Sequence, residues 1–571
     1  MTMREPGEVG PAPRPGALRR IWTSGLAVHL LVLALVLIGV GLATAPDGSF
    51  VADDGSYELQ LRALDEGAWE WHAGSTGGGA ANYPIANADR TETGWAPYAK
   101  HPAWPWLASQ IGKATGVGLA YVVLGLLSVL ALAAVAWVLS ATHEPRWSRW
   151  AFCLAGTAPV AITAAVPWAH AAGAAAAGLA VLGAIRVVAR PGSLAAIAGL
   201  GFGVAGAVLM RTEGLLLAGA VAVALVVGGR QAGRSWAWSA GAGGLTVITA
   251  LAVVRAEGAW IRSITGGGTT TFEARGAAGE APGFIDARLD GAVRSLVDGG
   301  RPSTTILLVL VVLAAAVAAA LTAAGRSRMV GVWQMAAGAS IVMLALRVAT
   351  LSNYPVSGLL AAWPVVVAGI AGGLAVAWTR VRMEVTVVAV YGTAILATQY
   401  ADGGSGSWGG RFFALATVPV VVVACVGVER LLAVAPDPGD AILPVRRFLV
   451  ALVAIPFLLG VAVVYEVQSS NAALYRWVET NVDGLGITPA VELPRMMWRQ
   501  DVRWLVVDDG DEGEDLAAVL DSLLQEDQRR ASLVVLDRDL DLAAAALADE
   551  PRWSEVSRSQ RDGLTVVVLE R

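Results

Sequence analysis

Residues 21–45, IWTSGLAVHLLVLALVLIGVGLATA, are a long apolar run, and SFVADDGSYELQLRALDEG follows it at residues 49–67. A run of about 25 residues is long enough to span a bilayer and too long for the apolar core of a cleaved signal peptide. It therefore predicts a retained first membrane helix. Asp53 and Asp54 then stand just outside the membrane, where such a pair indicates either a helix cap or a working acid and base.

The composition of the chain points to a membrane protein. Of its 571 residues, 56% are hydrophobic and 15% are charged, whereas soluble domains have about a quarter charged residues. The net charge of −5 and the absence of a basic tract give no support for a nucleic-acid partner. Cys153 and Cys425 both lie in apolar runs, so no disulfide framework or cysteine metal cluster is available.

Apolar runs of membrane-spanning length recur along the chain and predict about thirteen spans. They lie near residues 21–45, 115–140, 150–167, 171–188, 192–210, 214–229, 236–254, 304–324, 329–347, 357–377, 384–400, 412–433 and 447–466. Arginines cluster in the N-terminal tail and in the loops after alternate spans, which places these segments in the cytoplasm. The sequence therefore predicts a multi-pass plasma-membrane protein with a cytoplasmic N-terminus and an extracytoplasmic C-terminus.

Three regions follow from this topology. Residues 1–20 are a cytoplasmic tail, residues 21–466 are the membrane part with a first outer loop at 46–114, and residues 467–571 are extracytoplasmic. The last region alternates short apolar runs such as SLVVLDRD with helical stretches such as EDLAAVLDSLLQE. That alternation predicts a small α/β domain. The fold class is thus a polytopic α-helical membrane protein with a small α/β domain at its C-terminus.

The first outer loop carries several chemically distinctive side chains. Tyr57, Leu61 and Leu64 are spaced as one apolar face of a short helix, which we expect to lie along the membrane surface. The loop also holds the two lysines of the chain, Lys100 and Lys113. Its tryptophans are typical of a membrane-interface belt, but aromatic faces also stack on sugar rings. The tryptophans considered for that role are Trp69, Trp71, Trp95 and Trp104.

Two elements of this loop resemble a known family. DDGSY at 53–57 and YAKHP at 98–102 are similar to the loop-one motifs of the GT-C superfamily, polytopic glycosyltransferases that use polyprenyl-phosphate sugars. The likeness is to aminoarabinose transferases and protein O-mannosyltransferases, whose motifs read Asp-Glu-x-x-Tyr and Lys-Pro-Pro. The chain departs from that pattern in having Asp at position 54 and in having His101 inserted after Lys100.

The resemblance extends along residues 21–466 through shorter motifs. MRTEGLLL from Met210, SNYPVSGLLAAWP at 352–364 and SWGGRFFALATVP at 407–419 resemble later elements of such enzymes. Separately, several arginines fall at the outer ends of predicted spans, against the usual inside bias. Ionisable groups at membrane depth are functional candidates, and Arg suits phosphate because its planar fork binds two oxygens. These arginines are Arg211, Arg255, Arg347 and Arg411.

The resemblance implies a mechanism and a set of site residues. Asp54 or Asp53 would take the proton from an acceptor hydroxyl, and basic side chains would stabilise the leaving lipid phosphate, with inversion at the anomeric carbon. The predicted substrate-binding residues are Tyr57, Lys100, His101, Arg211, Arg347, Arg411, Trp69 and Trp71. Some relatives place a divalent cation near the phosphate. Because the sequence offers no ligand set beyond Asp53, Asp54 and His101, we expect no obligatory metal.

The sugar and the acceptor stay open. The arginine-rich, nearly lysine-free composition resembles that of high-GC actinobacteria, whose envelopes use mannose and arabinose, and the acceptor is a glycan, a lipid or a protein. Two other classes of function are weighed against transfer. A secondary transporter or lipid-linked sugar flippase predicts ionisable residues at mid-span and broken helices in matched halves. A non-catalytic envelope scaffold leaves the acidic pair and the outer arginines without a role.

Overall fold

The structure is a computed structural model, and only part of the chain is described in it. The described residues are 25–43, 48–70, 89–90, 95–96, 98, 101–265, 291–292, 295–296, 310, 313–314, 317–319, 321–322, 331–332, 335, 338–339, 359–363, 365, 369–370, 373, 380–398, 410–433, 442–483, 485–490, 493–497, 502–506, 516, 520–521, 523, 529–549 and 551–571.

Helices make up most of the described chain. The helices are α1 (Ala27–Ala43), α2 (Ala52–Asp65), α3 (Ala103–Thr115), α4 (Val117–His143), α5 (Ser148–Gly156), α6 (His170–Ala189), α7 (Leu194–Met210), α8 (Gly214–Gln231), α9 (Trp236–Thr265), α10 (Leu359–Ala362), α11 (Arg382–Thr398), α12 (Thr417–Ala433), α13 (Ile442–Asn481), α14 (Leu493–Met496) and α15 (Leu540–Asp549). The strands are β1 (Asp89–Arg90), β2 (Trp95–Ala96), β3 (Leu485–Thr488), β4 (Arg503–Val506), β5 (Arg530–Leu536), β6 (Ser554–Arg561) and β7 (Leu564–Glu570).

Within the described residues, 6 helices are long and apolar enough to cross a membrane. They are Val117–His143, His170–Ala189, Gly214–Gln231, Trp236–Thr265, Arg411–Arg430 and Leu449–Asn481, and Ala27–Leu42 and Leu194–Met210 are shorter apolar helices. The total of about thirteen spans stays a prediction, because the runs at 304–324 and 329–347 fall mostly outside the described residues.

One predicted span is wrong as a continuous helix. Residues 150–167 divide into the end of α5 at Gly156, a turn, and a 3₁₀ helix at Pro159–Ala164. Proline lacks a backbone N–H and ends a helix that reaches it, and Pro159 and Pro167 bracket this segment. The segment after the break brings Trp168 next to α2.

The membrane helices pack closely through small residues. A Cβ atom added at Gly203 of α7 would lie 2.3 Å from the backbone nitrogen of Ala180 in α6, and one added at Gly183 of α6 would lie 2.4 Å from the nitrogen of Leu200. Because lipid offers no hydrophobic drive for helix association, close backbone approach supplies the packing energy. The alanine- and glycine-rich composition therefore serves the α6–α7 contact.

The C-terminal residues form a five-stranded sheet of order β4-β3-β5-β7-β6, which we name the C-terminal sheet. Strands β3, β4 and β5 are parallel, and β7 pairs antiparallel with β5 and β6. The hairpin between β6 and β7 turns through Asp562 and Gly563, both with positive φ, as type I′ hairpin turns require. This sheet agrees with the predicted strand–helix alternation, while its status as a separate outer domain stays a prediction.

Helix α2 lies between the membrane helices and the C-terminal sheet. Tyr57 and Leu61 pack into a buried cluster with Trp104 and Tyr121 of the helical part. Leu59 packs in the opposite direction, into a cluster that includes residues of α13, α14 and the sheet. The apolar face of α2 thus packs against the helical part of the protein, while its place along the membrane surface stays a prediction.

Candidate active site

The two adjacent acids at the start of α2 have different surroundings. Asp54 is buried, and its Oδ2 atom accepts hydrogen bonds from the backbone N–H groups of Phe50 at 2.7 Å and Val51 at 3.3 Å. Its Oδ1 atom accepts a hydrogen bond of 2.8 Å from Nε1 of Trp168. Burial raises the pKa of Asp54 to about 7, although these three hydrogen bonds oppose the rise. Asp54 thus closes the first turn of the helix.

Asp53 is the more exposed acid of the pair. Its side chain is 43% exposed, and its Oδ2 atom lies 3.8 Å from Nη1 of Arg411. Arg411 opens the 3₁₀ helix Arg411–Ala416, directly after Gly410, whose φ of 64° is one that side-chain-bearing residues rarely adopt. A Cβ atom at Gly410 would also lie 2.7 Å from the carbonyl oxygen of Ser295. The glycine therefore fixes the place from which Arg411 reaches Asp53.

A buried polar group adjoins the acids. The hydroxyl of Tyr57 donates a hydrogen bond of 2.6 Å to the hydroxyl of Tyr98, and their rings stack with centroids 3.9 Å apart. Burial raises the pKa of Tyr98 to about 12 and also raises the pKa of Tyr57, so both phenols stay protonated near neutral pH. Asp53 and Arg211 both act electrostatically on this tyrosine pair.

Arg211 is held by a neighbouring carboxylate. Its Nε and Nη2 atoms donate to the two carboxylate oxygens of Glu213 at 3.0 and 2.9 Å, and both side chains are largely buried. Burial opposes the charge of Arg211, but Glu213, Tyr57 and Tyr98 together outweigh it and hold the pKa of the guanidinium above its usual range. This paired geometry is the strong form of the arginine–carboxylate contact, and it fixes the guanidinium near the tyrosines.

A cavity of about 200 Å³ adjoins the site. Arg411 and Trp168 line it, so the contacts of Asp53 and Asp54 are with residues of the cavity wall. Most of the remaining wall is apolar and includes Leu296, Leu359, Val388, Phe413 and Val420, with His170 and Trp363 adding ring nitrogens. The cavity therefore joins a long apolar surface to a basic group.

Two N–H donors at this cavity lack an acceptor among the described residues. They are Nε of Arg411 and Nε1 of Trp363, and both atoms are buried. Buried polar atoms without partners are costly and uncommon in native proteins. A ligand that brought an oxygen atom into the cavity would satisfy such donors.

Other predicted site residues have different positions. His101 is buried, and its Nδ1 atom lies 3.1 Å from Oε1 of Glu257 in α9, so this ring joins the first loop to α9. Trp69 packs edge-on against Trp260 at 5.8 Å between centroids, which makes it a packing residue of the loop. The predictions for Lys100, Arg347 and Trp71 lie outside the described residues.

Several residues that build this site are not among the predicted site residues. Glu213 and Tyr98 lie inside the motifs MRTEGLLL and YAKHP. Their closeness to the predicted site residues Arg211 and Lys100 could have identified them as candidates. Trp363 likewise lies inside the motif SNYPVSGLLAAWP. Trp168 and Glu257 carry no local signal, because their partners are distant in sequence. As for metals, no group of at least three His, Cys, Asp or Glu side chains comes together in the described part of the chain. The expectation of no obligatory metal stays a prediction.

Comparison with known proteins adds a fold-level result. No protein-family model matches the chain, and no curated protein matches it. Among solved structures, apo ArnT from Cupriavidus metallidurans is similar at 14% identity and a TM-score of 0.53, over 96% of this chain and 98% of that one. ArnT bound to undecaprenyl phosphate gives a TM-score of 0.47 at 14% identity, over 96% and 98% of the two chains.

A third structure is the archaeal oligosaccharyltransferase AglB from Archaeoglobus fulgidus, in complex with an inhibitory peptide and a dolichol-phosphate. It is 12% identical with a TM-score of 0.47, over 96% of this chain and 74% of that one. Of these three similarities, the one to apo ArnT has a TM-score above 0.5. It concerns the fold alone. This chain therefore shares the overall fold of ArnT, and its long apolar helices agree with a multi-pass membrane protein.

Proposed function

We propose that this chain is a membrane glycosyltransferase that moves a sugar from a polyprenyl-phosphate donor to an envelope acceptor on the outer face of the plasma membrane. The observation that carries the proposal is the contact between Asp53 and Arg411 at the wall of the apolar cavity. A proton acceptor and a phosphate-binding cation stand side by side there, where a lipid-linked substrate can bring its phosphate.

In this proposal each side chain of the site has one part in the transfer reaction. The acceptor hydroxyl oxygen attacks the anomeric carbon, and Asp53 takes the hydroxyl proton, which is a step worth typically 10²–10⁴-fold. The bond between the anomeric carbon and the phosphate oxygen breaks, and its electron pair leaves with the polyprenyl phosphate. Arg411 stabilises the charge that develops on that phosphate, and the described walls of the cavity take the apolar chain. Attack from the face opposite the phosphate inverts the anomeric centre.

The assignment of the base to Asp53 and not Asp54 follows from exposure. Asp54 is 3% exposed and already accepts hydrogen bonds from three internal donors, whereas Asp53 is open on one side. A general base must reach the proton that it removes. Arg211 belongs to the same polar group through Tyr57 and Tyr98, and we assign it a secondary role in binding the donor phosphate.

The test is a transfer assay with purified full-length protein in nanodiscs. Labelled polyprenyl-phosphate mannose and polyprenyl-phosphate arabinofuranose are each supplied with envelope glycan, lipid and peptide acceptors. We expect labelled product together with stoichiometric polyprenyl phosphate for one donor, and none with Asp53→Asn. The sugar is thereby identified as mannose or arabinose type.

The same protein in sealed proteoliposomes distinguishes transfer from the alternatives. Movement of the labelled lipid across the bilayer without its consumption would favour a flippase or transporter. Neither movement nor consumption with any donor would favour a scaffold. Asp53→Asn leaves the hydrogen bonds of Asp54 intact, so we expect this variant to fold as the wild type does. A loss of transfer by the folded variant therefore reports on catalysis.

A further inference from the structure

The outer side of α2 rests on the C-terminal part of the chain. Leu59 is 3% exposed and lies in one buried cluster with Tyr475 and Val478 of α13, Leu493 and Met497 at α14, and residues of the sheet. Helix α14 packs directly against α2. The sheet residues of this cluster are Trp504, Val534, Leu564 and Val566. Helix α2 is therefore supported from outside as well as from the membrane helices.

The segment before α2 is attached to the same support. The hydroxyl of Ser49 donates to the carbonyl oxygen of Met496 at 3.2 Å, and Nδ2 of Asn471 donates to the carbonyl oxygen of Ser49 at 2.8 Å. Gly48 lies so close to α13 that a Cβ atom there would be 1.8 Å from the carbonyl oxygen of Gln468. Two hydrogen bonds and one close backbone approach thus fix residues 48 and 49 to α13 and α14.

These contacts continue directly to the acidic pair. The residue after Ser49 is Phe50, whose backbone N–H donates to Asp54, and Asp54 in turn closes the first turn of α2. Asp53 belongs to that turn. A displacement of α14 or of the sheet face beneath it would therefore be passed to Asp53 through both Leu59 and the Ser49 segment.

We infer that the C-terminal sheet is a positioning element for the candidate base. Through its contact with Leu59, and through α13 and α14 that hold Ser49, the sheet sets the depth and rotation of α2 and hence the distance between Asp53 and Arg411. The catalytic consequence rests on the proposed glycosyl transfer, while the mechanical coupling does not. Because a misplacement of about 1 Å costs on the order of 10²-fold in rate, modest loosening of this support lowers kcat.

Strand β7 provides a matched pair of variants. Val566 and Val567 are adjacent, both are 1% exposed, and they lie on opposite faces of the sheet. Val566 belongs to the cluster of Leu59, whereas Val567 belongs to the cluster on the far face with Leu520 and Leu533. Val566→Ala and Val567→Ala remove the same atoms from equally buried sites. Strand β5 repeats the design with Val534→Ala and Val535→Ala.

The experiment measures hydrogen–deuterium exchange of the α2 amides and steady-state transfer in the full-length chain. We expect Val566→Ala and Val534→Ala to speed exchange in α2 and to lower kcat by on the order of tenfold, with KM for the donor unchanged. Val567→Ala and Val535→Ala should lower the thermal midpoint by the same amount as their partners Val566→Ala and Val534→Ala. With Val567→Ala and Val535→Ala, exchange of the α2 amides should stay as in the wild type. Ser49→Ala, which removes the hydrogen bond from the segment before α2 to Met496 of α14, should act like the Val566 variant.

Equal α2 exchange in the two members of each pair would overturn the inference, as would a parallel loss of kcat in both. If the wild type turns over no donor, the proposed function fails, but the exchange comparison still decides whether the sheet holds α2. Faster exchange in α2 with unchanged kcat would reject the positioning role while leaving the transferase proposal intact.

Discussion

The indole Nε1 atom of Trp168 donates a hydrogen bond of 2.8 Å to Oδ1 of Asp54. This bond and the two backbone donors on Oδ2 direct the carboxylate of Asp54 toward protein groups. Its neighbour Asp53 is directed toward Arg411 at the cavity. The sequence offered a helix cap or a working acid for the pair. In the structure Asp54 closes the first turn of α2, and we propose Asp53 as the working base.

The first prediction separates the two acids by substitution with Asn. Asp53→Asn should lower kcat by roughly 10²–10⁴-fold, because the base is lost, and should leave the thermal midpoint near that of the wild type. Asp54→Asn should mainly lower stability, by about 1–3 kcal/mol, because its amide N–H₂ group faces a donor and a buried hydrogen bond is lost. Its loss of kcat should be smaller than that of Asp53→Asn, because the base is kept. Transfer kinetics and thermal unfolding in nanodiscs measure both.

A loss of turnover by folded Asp54→Asn protein, combined with full turnover by Asp53→Asn, would assign the base to Asp54. Asp53→Glu is the control, since it keeps the carboxylate and changes only its reach. We expect this variant to keep part of the turnover that Asp53→Asn loses.

The second prediction concerns the pH dependence of stability. The pKa of Asp54 is about 7 in the folded protein and 3.8 for an unperturbed group, so the folded chain binds more protons than the unfolded chain between these values. Stability from this group is therefore complete below about pH 4 and is lost as pH rises through about 7. Unfolding at pH 5 and pH 8 should show a higher midpoint at pH 5, and Asp54→Asn should make that difference smaller.

Much of the fold was predictable because membrane helices are encoded locally. Apolar length alone placed α4, α6, α7 and α8 within a few residues of their observed bounds. It failed at 150–167, where composition is apolar but two prolines end helices. Hydropathy averages over a window, so it cannot register a break made by single residues.

The charged residues of the candidate site could be predicted from the sequence, but the residues that they contact could not. The acids of loop one and the arginines at outer span ends were singled out by their chemistry, and Asp53 and Arg411 are indeed brought together. The roles of Trp168 and of the C-terminal sheet depend on contacts between distant parts of the chain. No local pattern encodes such contacts, which is why the division of labour between Asp53 and Asp54 stayed open.

The third prediction concerns the indole N–H of Trp363, which lacks an acceptor among the described residues. Trp363→Phe removes this donor, so we expect an unchanged or slightly higher thermal midpoint. The affinity for the polyprenyl-phosphate sugar should fall several-fold, because a hydrogen bond from the indole to this ligand is worth about 1 kcal/mol. Trp137 is the control, since its buried indole N–H also lacks an acceptor in the described chain but does not line the cavity. Equal donor affinity for Trp363→Phe and Trp137→Phe would contradict a ligand oxygen at Trp363.

The fourth prediction uses the buried pair of Arg211 and Glu213. Glu213→Gln leaves the guanidinium with a neutral partner in a buried site, and breaking such a pair costs about 3–5 kcal/mol of stability. The double variant Arg211→Met with Glu213→Leu removes both charges of this buried pair. It should therefore recover most of the stability that Glu213→Gln loses. If Arg211 also helps to bind the donor phosphate, the double variant is folded but has a raised KM for the donor. A folded double variant with wild-type KM would restrict Arg211 to a structural role and leave Arg411 as the phosphate-binding cation.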